Sequence, residues 1–195
     1  MLLLYSYIAY YILVAIGITF GYHKYYSHRS FKAPVWLQVL FLYAGLLCGG
    51  RSALTWSAVH RMHHAYEDTK KDPHSPLHNK WYEVLFSLWT VKNIPRKFCK
   101  DLLKDKLVMH FHKEGWKYMF LTYFFALLIS YKLLVALILI FIFSYLGFGA
   151  LNFLGHNKEG PINNILINLF APFEGNHRDH HEKSKKKIPA KFRNA

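Results

Sequence analysis

The sequence predicts an all-α integral-membrane helical protein with a cytoplasmic helical cap carrying a histidine-rich dinuclear metal site. Three observations predict it. Residues 1–22 and 133–155 contain no charged side chain, and each run is long enough to cross the ~30 Å hydrocarbon core as a helix. Every Lys and Arg except Lys132 falls on one side of the resulting arrangement, the side that faces the cytoplasm. Finally, the chain has 13 histidines, and most fall into groups at spacings that share a helical face.

Composition sets the class. With 53% hydrophobic and 18% charged residues in 195, the chain is too apolar to be disordered or to coat nucleic acid, despite a formal charge of +14. No nucleic-acid partner is expected. Cys48 and Cys99 belong to no disulfide framework and no zinc spacing. The length suits one domain over 1–195.

The elements follow in order. The first span covers about 2–22. It lacks a basic leading segment and a small-residue cleavage site, so it reads as a span and not a cleaved leader. Residues 23–114 form the main part of the cap. Within it the uncharged run from Ala33 to Gly50 lies between two histidine-bearing stretches that must share a side if they share a site, so it is expected to lie at the interface, starting near Pro34 and ending at Gly49-Gly50. Between Lys70 and Lys117 the composition is polar. Asp72-Pro73 and Ser75-Pro76 mark turns there, and Trp81 to Thr90 a short amphipathic segment. Spans at about 115–131 and 133–155 form a hairpin with Lys132 at the far tip. Residues 156–195 complete the cap. Its run Lys183, Lys185, Lys186, Lys187, Lys191 and Arg193 is expected to meet anionic headgroups of the membrane lipid.

The histidine groups carry the chemistry. His23 and His28 form an HxxxxH where the first span emerges. His60, His63 and His64 form an HxxHH, and His177, His180 and His181 form a second. Asn152 and His156 form an NxxxH at the end of the last span. On a helix each HxxHH presents three imidazoles to one point, and Asn152 and His156 share a face. His23 and His28 differ by ~140° on an ideal α-helix and would grip a site from two sides or sit where the helix ends. Together these imidazoles and one amide exceed one metal's needs and suit two metals with about five ligands each. Imidazole alone does not name the metal. Glu67, Asp68, Glu174, Asp179 and Glu182 lie close enough in sequence to orient ligand rings, with Glu67 and Glu182 expected in solvent. His74, His78, His110 and His112 lack the repeated spacing and are expected outside the ligand sets.

GYHKYYSH at 21–28, HRMHH at 60–64, NFLGH at 152–156 and EGNHRDHH at 174–181 resemble the histidine boxes of the integral-membrane fatty acid desaturases, most closely the Δ9 acyl desaturases of the stearoyl-CoA type. SHRSFKAP after His28, Trp56 four residues before His60, DPHSP at 72–76 and KLVM at 106–109 are also similar to that group. The resemblance implies a di-iron oxidase, with His23, His28, His60, His63, His64, Asn152, His156, His177, His180 and His181 as metal-binding and catalytic residues. It would use two iron ions, O2 and two electrons to place a cis double bond, at Δ9 in this group, in a saturated long-chain acyl group. The acyl carrier is CoA or a lipid: Lys92 matches a basic position near the CoA site of acyl-CoA members, but Ala58-Val59 stands where those members carry a charged pair. Lys92 and Arg96 are the candidate headgroup anchors, and Trp56, Tyr22, Phe148 and Phe153 the candidate tunnel walls. No fused cytochrome b5 or flavin motif is present, so a separate donor of the ferredoxin or cytochrome b5 type is implied. Desaturases of this type usually begin with a further span, whereas the 22 residues before the first box suffice for one. Membrane hydroxylases of fatty acids or alkanes also use histidine clusters, and a membrane metal-binding protein without catalysis is the non-enzyme alternative.

Overall fold

The computed structural model describes residues 1–88, 90, 91 and 93–187, the last three as backbone alone. It is mostly helical. Helix α1 (Leu2–Val14) continues without a break into a π-helical segment, π1 (Ala15–Ser27). Helix α2 (Val35–Leu47) packs along π1, where Gly17 and Gly45 let the two backbones touch. A Cβ on Gly17 would stand 2.3 Å from the Gly45 nitrogen, and the buried Tyr22 hydroxyl ties the pair by donating toward the Leu42 and Arg51 carbonyls. As expected from Pro34 and Gly49, α2 starts after the proline and ends before the glycine, which adopts φ +70°. Val35, Trp36, Val39 and Leu40 leave one face of α2 exposed and apolar.

Helix α3 (Ala53–Tyr66) carries the first HxxHH. Ser52 caps it by accepting from the Thr55 N–H at 3.3 Å, and the same hydroxyl meets His112 Nδ1 at 2.8 Å. The segment expected over Trp81 to Thr90 is shorter: α4 covers Trp81–Leu85, and Trp89 lies outside the described residues. Two 3-10 turns, Arg96–Phe98 and Leu102–Lys104, lead into α5 (Lys106–Ile129). Ser130 ends α5 and caps α6 (Tyr131–Leu154) by accepting from the Lys132 N–H. The hairpin therefore turns at Ser130, two residues before Lys132, because Ser130 leaves helical geometry at φ −168° while Lys132 sits in the first turn of α6. Its first arm starts at Lys106, well before residue 115.

After α6 a two-residue antiparallel ladder, β1 (His156–Asn157) with β2 (Gly160–Pro161), reverses the chain. A 3-10 turn at Ile165–Leu169 follows, then α7 (His177–Lys187). Side chains of helix 1, the continuous run Leu2–Ser27 made of α1 and π1, stitch this return segment in place. Tyr7 donates to the Leu169 carbonyl at 2.5 Å, Tyr10 to Phe170, Tyr11 to Asn168 at 2.9 Å and Thr19 to Pro172 at 3.0 Å. This seam delivers Glu174 and the α7 histidines to the end of π1. The core lies between helix 1, α2 and the inner faces of α5 and α6, around Tyr10, Val14, Tyr22, Tyr26, Leu42 and Ile140.

Two of the described helical runs, Leu2–Ser27 and Tyr131–Leu154, are long and apolar enough to cross a membrane. Ile8 and Ile12 of α1, Phe120, Phe124 and Leu128 of α5, and Ile138 and Ile142 of α6 are exposed. Such an outward apolar surface is stable against lipid and not against water, and the protein is membrane-associated.

Candidate metal centre

Nine imidazoles converge where π1 and α6 end. In a first set His23 and His28 of π1's end, His60 and His64 of α3, and His180 of α7 each bring a ring nitrogen within 4.8 Å of all the others. In a second set His63 of α3, His156 of β1, and His177 and His181 of α7 do the same. The Nε2–Nε2 separations in the first set are 2.9 Å for His23–His180 and His28–His60, and 3.0 Å for His60–His64 and His64–His180. In the second they are 3.0 Å for His156–His177, 3.1 Å for His177–His181 and 3.3 Å for His63–His181.

Local geometry corrects two expectations and decides a third. Each HxxHH does not serve one point but divides between the sets. Successive helical residues are ~100° apart, so His63 turns away from His64, and His180 from His181, toward opposite sets. The i, i+4 pairs His60/His64 and His177/His181 stay together. His23 and His28 do not straddle the site either; the other alternative holds, that they sit where the helix ends, since π1 stops at Ser27 and His28 caps it. In π1 the helix is widened, and the His28 N–H donates to the His23 carbonyl five residues back at 3.1 Å, so the rings lie on one face with centroids 4.9 Å apart. Nor do Asn152 and His156 share a helix. Gly155 ends α6, and His156 is fixed in β1. A Cβ on Gly155 would stand 2.8 Å from the His177 ring, so only glycine lets that ring approach.

Carboxylates back the rings from outside. His23 Nδ1 meets Glu174 at 2.7 Å, His63 Nδ1 meets Asp72 at 2.9 Å, His156 Nδ1 meets Asp68 at 2.8 Å and His181 Nδ1 meets Glu67 at 2.5 Å. Glu67 is therefore not a solvated acid, because the end of α3 turns its side chain onto α7. Asp179 bonds Asn163 instead of a histidine, and Glu182 is exposed as expected. Sequence reasoning missed Asp72, which lies in the loop after α3; the available signal was its place in DPHSP. Burial raises the Asp72 carboxyl, but the neighbouring His63 outweighs it and holds the group at about 2. Burial, reinforced by neighbouring imidazoles, pushes His60, His64, His177, His180 and His181 below the usual histidine range. Neutral rings with free lone pairs are the ligand form, so the donor set fits a metal centre.

The remaining histidines separate as expected, except at one edge. His78 meets the Asp68 carbonyl, His110 meets Tyr118 and His112 meets Ser52. His74 belongs to neither set, but its ring lies 4.3 Å from that of His63 at a 32° tilt, its backbone N–H donates to Asp72, and with His63 and Asp72 it forms a third close group of possible metal ligands.

A cavity lies against both sets: His23 and His60 of the first, His63 and His177 of the second, and Asn152 line it, together with Val14, Ile18, Tyr145 and Phe148. Trp56 lies in its wall, stacked on His60 at 5.0 Å and 21°. Phe148 also lines it as expected. Tyr22 does not, being packed against α2, and Phe153 is not among the lining residues. Arg96 is exposed on the cap at the start of its 3-10 turn and is not among the residues that line the cavity. Lys92 lies outside the described residues. The cation that does line the cavity is Arg51, held exposed at φ +54° after Gly49-Gly50, and no spacing in the sequence singled it out.

The sequence model of the fatty acid desaturase family matches residues 1–186. The chain is 38% identical over 115 residues to a Delta-9 desaturase-like 2 protein of Arabidopsis thaliana, covering 56% of this chain and 35% of that protein. It is 37% identical over 105 residues to the sn-1 stearoyl-lipid 9-desaturase of Synechocystis, covering 52% and 33%. It is 38% identical over 94 residues to an acyl-CoA 5-desaturase of Anemone leveillei, covering 46% and 29%. These matches span about a third of each relative's length.

Proposed function

Because the chain belongs to the fatty acid desaturase family, we propose that it is an O2-dependent di-iron desaturase that introduces a cis double bond at Δ9 into a saturated long-chain acyl group. The observation that carries this reading is the pair of converging imidazole sets, five and four strong, against an apolar cavity. The first set would hold one iron ion. The second set, with Asn152 on the same cavity wall, would hold the other. Two ferrous ions, when bound, supply the O2 activation and one-electron chemistry that breaking an unactivated methylene C–H bond requires, beyond the reach of any amino-acid base.

The chain's own residues do the rest. Glu67, Asp68, Asp72 and Glu174 accept from the Nδ1 atoms and thereby fix which ring nitrogen faces the metal. Trp56 holds the His60 ring by stacking. Ile18, Phe148 and Val14 exclude water and grip methylenes, worth ~0.8 kcal/mol each when buried. Arg51, exposed and in the cavity lining, is suited to hold the acyl headgroup, with Arg96 of the cap as the further exposed candidate. The matched 9-desaturase of Synechocystis is named for a lipid-bound stearoyl group, which favours an acyl-lipid over acyl-CoA here. Exposed lysines of the cap, Lys70, Lys71 and Lys100, suit an acidic electron donor of the ferredoxin or cytochrome b5 type.

The whole is a single multi-pass domain whose metal site and C-terminus face the cytoplasm. Expression in a host lacking its own desaturase, followed by mass-spectrometric location of double bonds in the lipids, tests the activity. A new cis double bond at carbon 9 is expected, lost with His63→Ala or His180→Ala together with bound iron. A hydroxylated product would reassign the reaction, and metal without O2 consumption would reassign the protein.

A further inference from the structure

We infer that the two metal positions are unequal, and that the ion of the second set (His63, His156, His177, His181) is retained when the ion of the first set has left. The inference rests on the dinuclear reading above and concerns how firmly this chain's residues hold each ion. Two independent features point the same way. The first is backing: three of the four rings in the second set have Nδ1 against a carboxylate, Asp72, Asp68 and Glu67. Among the described residues the first set, with five rings, has one such carboxylate contact, His23–Glu174, while one ring in each set, His64 and His177, buries its Nδ1 with no acceptor. Such contacts raise the donor strength of the opposite nitrogen, and losing one typically lowers metal affinity 10–100-fold. They also bring three carboxylates' charge toward one cation.

The second feature is enclosure. All four rings of the second set are buried, with His181 at 0% and His63 at 2% exposure. In the first set His28, His60 and His180 are partly exposed. A chelator must replace ligands one at a time, so the set with accessible rings is opened first. Ligand number does not reverse this, because Asn152, at the end of α6 four residues before His156, lines the cavity and would offer the second set a fifth donor.

The test uses the full chain, purified in detergent and loaded with ferrous iron, with ions per chain measured by mass spectrometry. Ferrozine should then withdraw iron in two phases of one ion each, the slower at least tenfold slower. Diethyl pyrocarbonate applied between the phases, followed by peptide mapping, should modify His28 and His180 while His156 and His177 stay protected. In variants, His28→Ala should remove the fast phase, and Glu67→Gln should accelerate only the slow phase, by 10–100-fold. Loss of both ions in one phase, or protection of His28 and His180 with modification of His156, would overturn the inference. A loaded protein that never exceeds one ion per chain would instead sink the dinuclear reading beneath it.

Discussion

Arg61 sits inside the first HxxHH box without being a ligand, and its guanidinium fixes the geometry of four imidazoles. It donates to the carbonyls of Tyr26 and Ser27 at the end of π1, to the carbonyl of Phe98, and through two nitrogens to both oxygens of Asp101. Arg29 donates to the same carboxylate. One planar fork thus locks α3, which carries His60 and His64, to the segment that carries His23 and His28. Burial raises the Asp101 carboxyl, but Arg61 and then Arg29 pull it well below the usual range. A depressed carboxylate contributes stability above its unfolded value of ~4 and loses it as pH falls further, so this clamp is indifferent to pH near neutrality. Lysine keeps the charge but not the fork. Arg61→Lys strips this donor from the Tyr26 and Ser27 carbonyls, which should cost about 1–3 kcal/mol, read as a lower unfolding temperature. Iron content should fall with it, whereas a purely structural loss would leave the ions-per-folded-chain ratio intact. The nine ligand candidates were legible at this scale because histidine rarely clusters without a site. Their backing acids were less so, since Asp72 and Glu67 meet His63 and His181 only after the chain has turned.

At the scale of elements the sequence spoke through charge and punctuation. The uncharged runs marked helix 1 and α6, and Pro34 with Gly49 bounded α2. The π-helical widening of π1 was hidden, because five-residue spacing was measured against an ideal α-helix, and in that frame His23 and His28 diverge. The division of each HxxHH was hidden for the opposite reason: three residues on one face suggested one target until two targets stood side by side. The α5–α6 hairpin gives the topology its test. Lys132 lies in the first turn of α6 and Asn152 near its end, so about 30 Å of helix at ~1.5 Å per residue separates them. If α6 spans the bilayer, Lys132 lies outside and the histidine end inside, with the N-terminus outside as well. Cysteines substituted for Lys132 and Lys185, with Cys48 and Cys99 replaced by serine, should label from opposite faces of sealed vesicles. Labelling of both from one face would refute the hairpin as a membrane crossing.

For the whole molecule, the question is how a protein chooses one methylene among many that are chemically alike. Recognition of the carbon itself is unavailable, so the choice must come from distance between an anchored headgroup and the metals. Here the exposed Arg51, histidines of both sets and the buried Val14, which lies nine residues before His23 on the same helical run, all line one cavity. Seams from distant parts of the chain hold these points: Tyr7, Tyr10, Tyr11 and Thr19 fasten the return segment to helix 1, and Tyr145 donates to the Ser87 carbonyl across the cavity wall at 2.8 Å. A rigid frame of this kind measures from the head. Substrates shortened at the methyl end lose ~0.8 kcal/mol per unburied methylene, roughly a fourfold loss of binding each, while the head still sits at Arg51. Feeding C18, C16 and C14 saturated acids to the expressing host should therefore give falling turnover with the double bond always at the same carbon counted from the carboxyl. Val14→Phe, which fills part of the cavity, should penalise C18 most and leave that position unchanged. A double bond that kept its distance from the methyl end would mean that Val14, and not Arg51, sets the register.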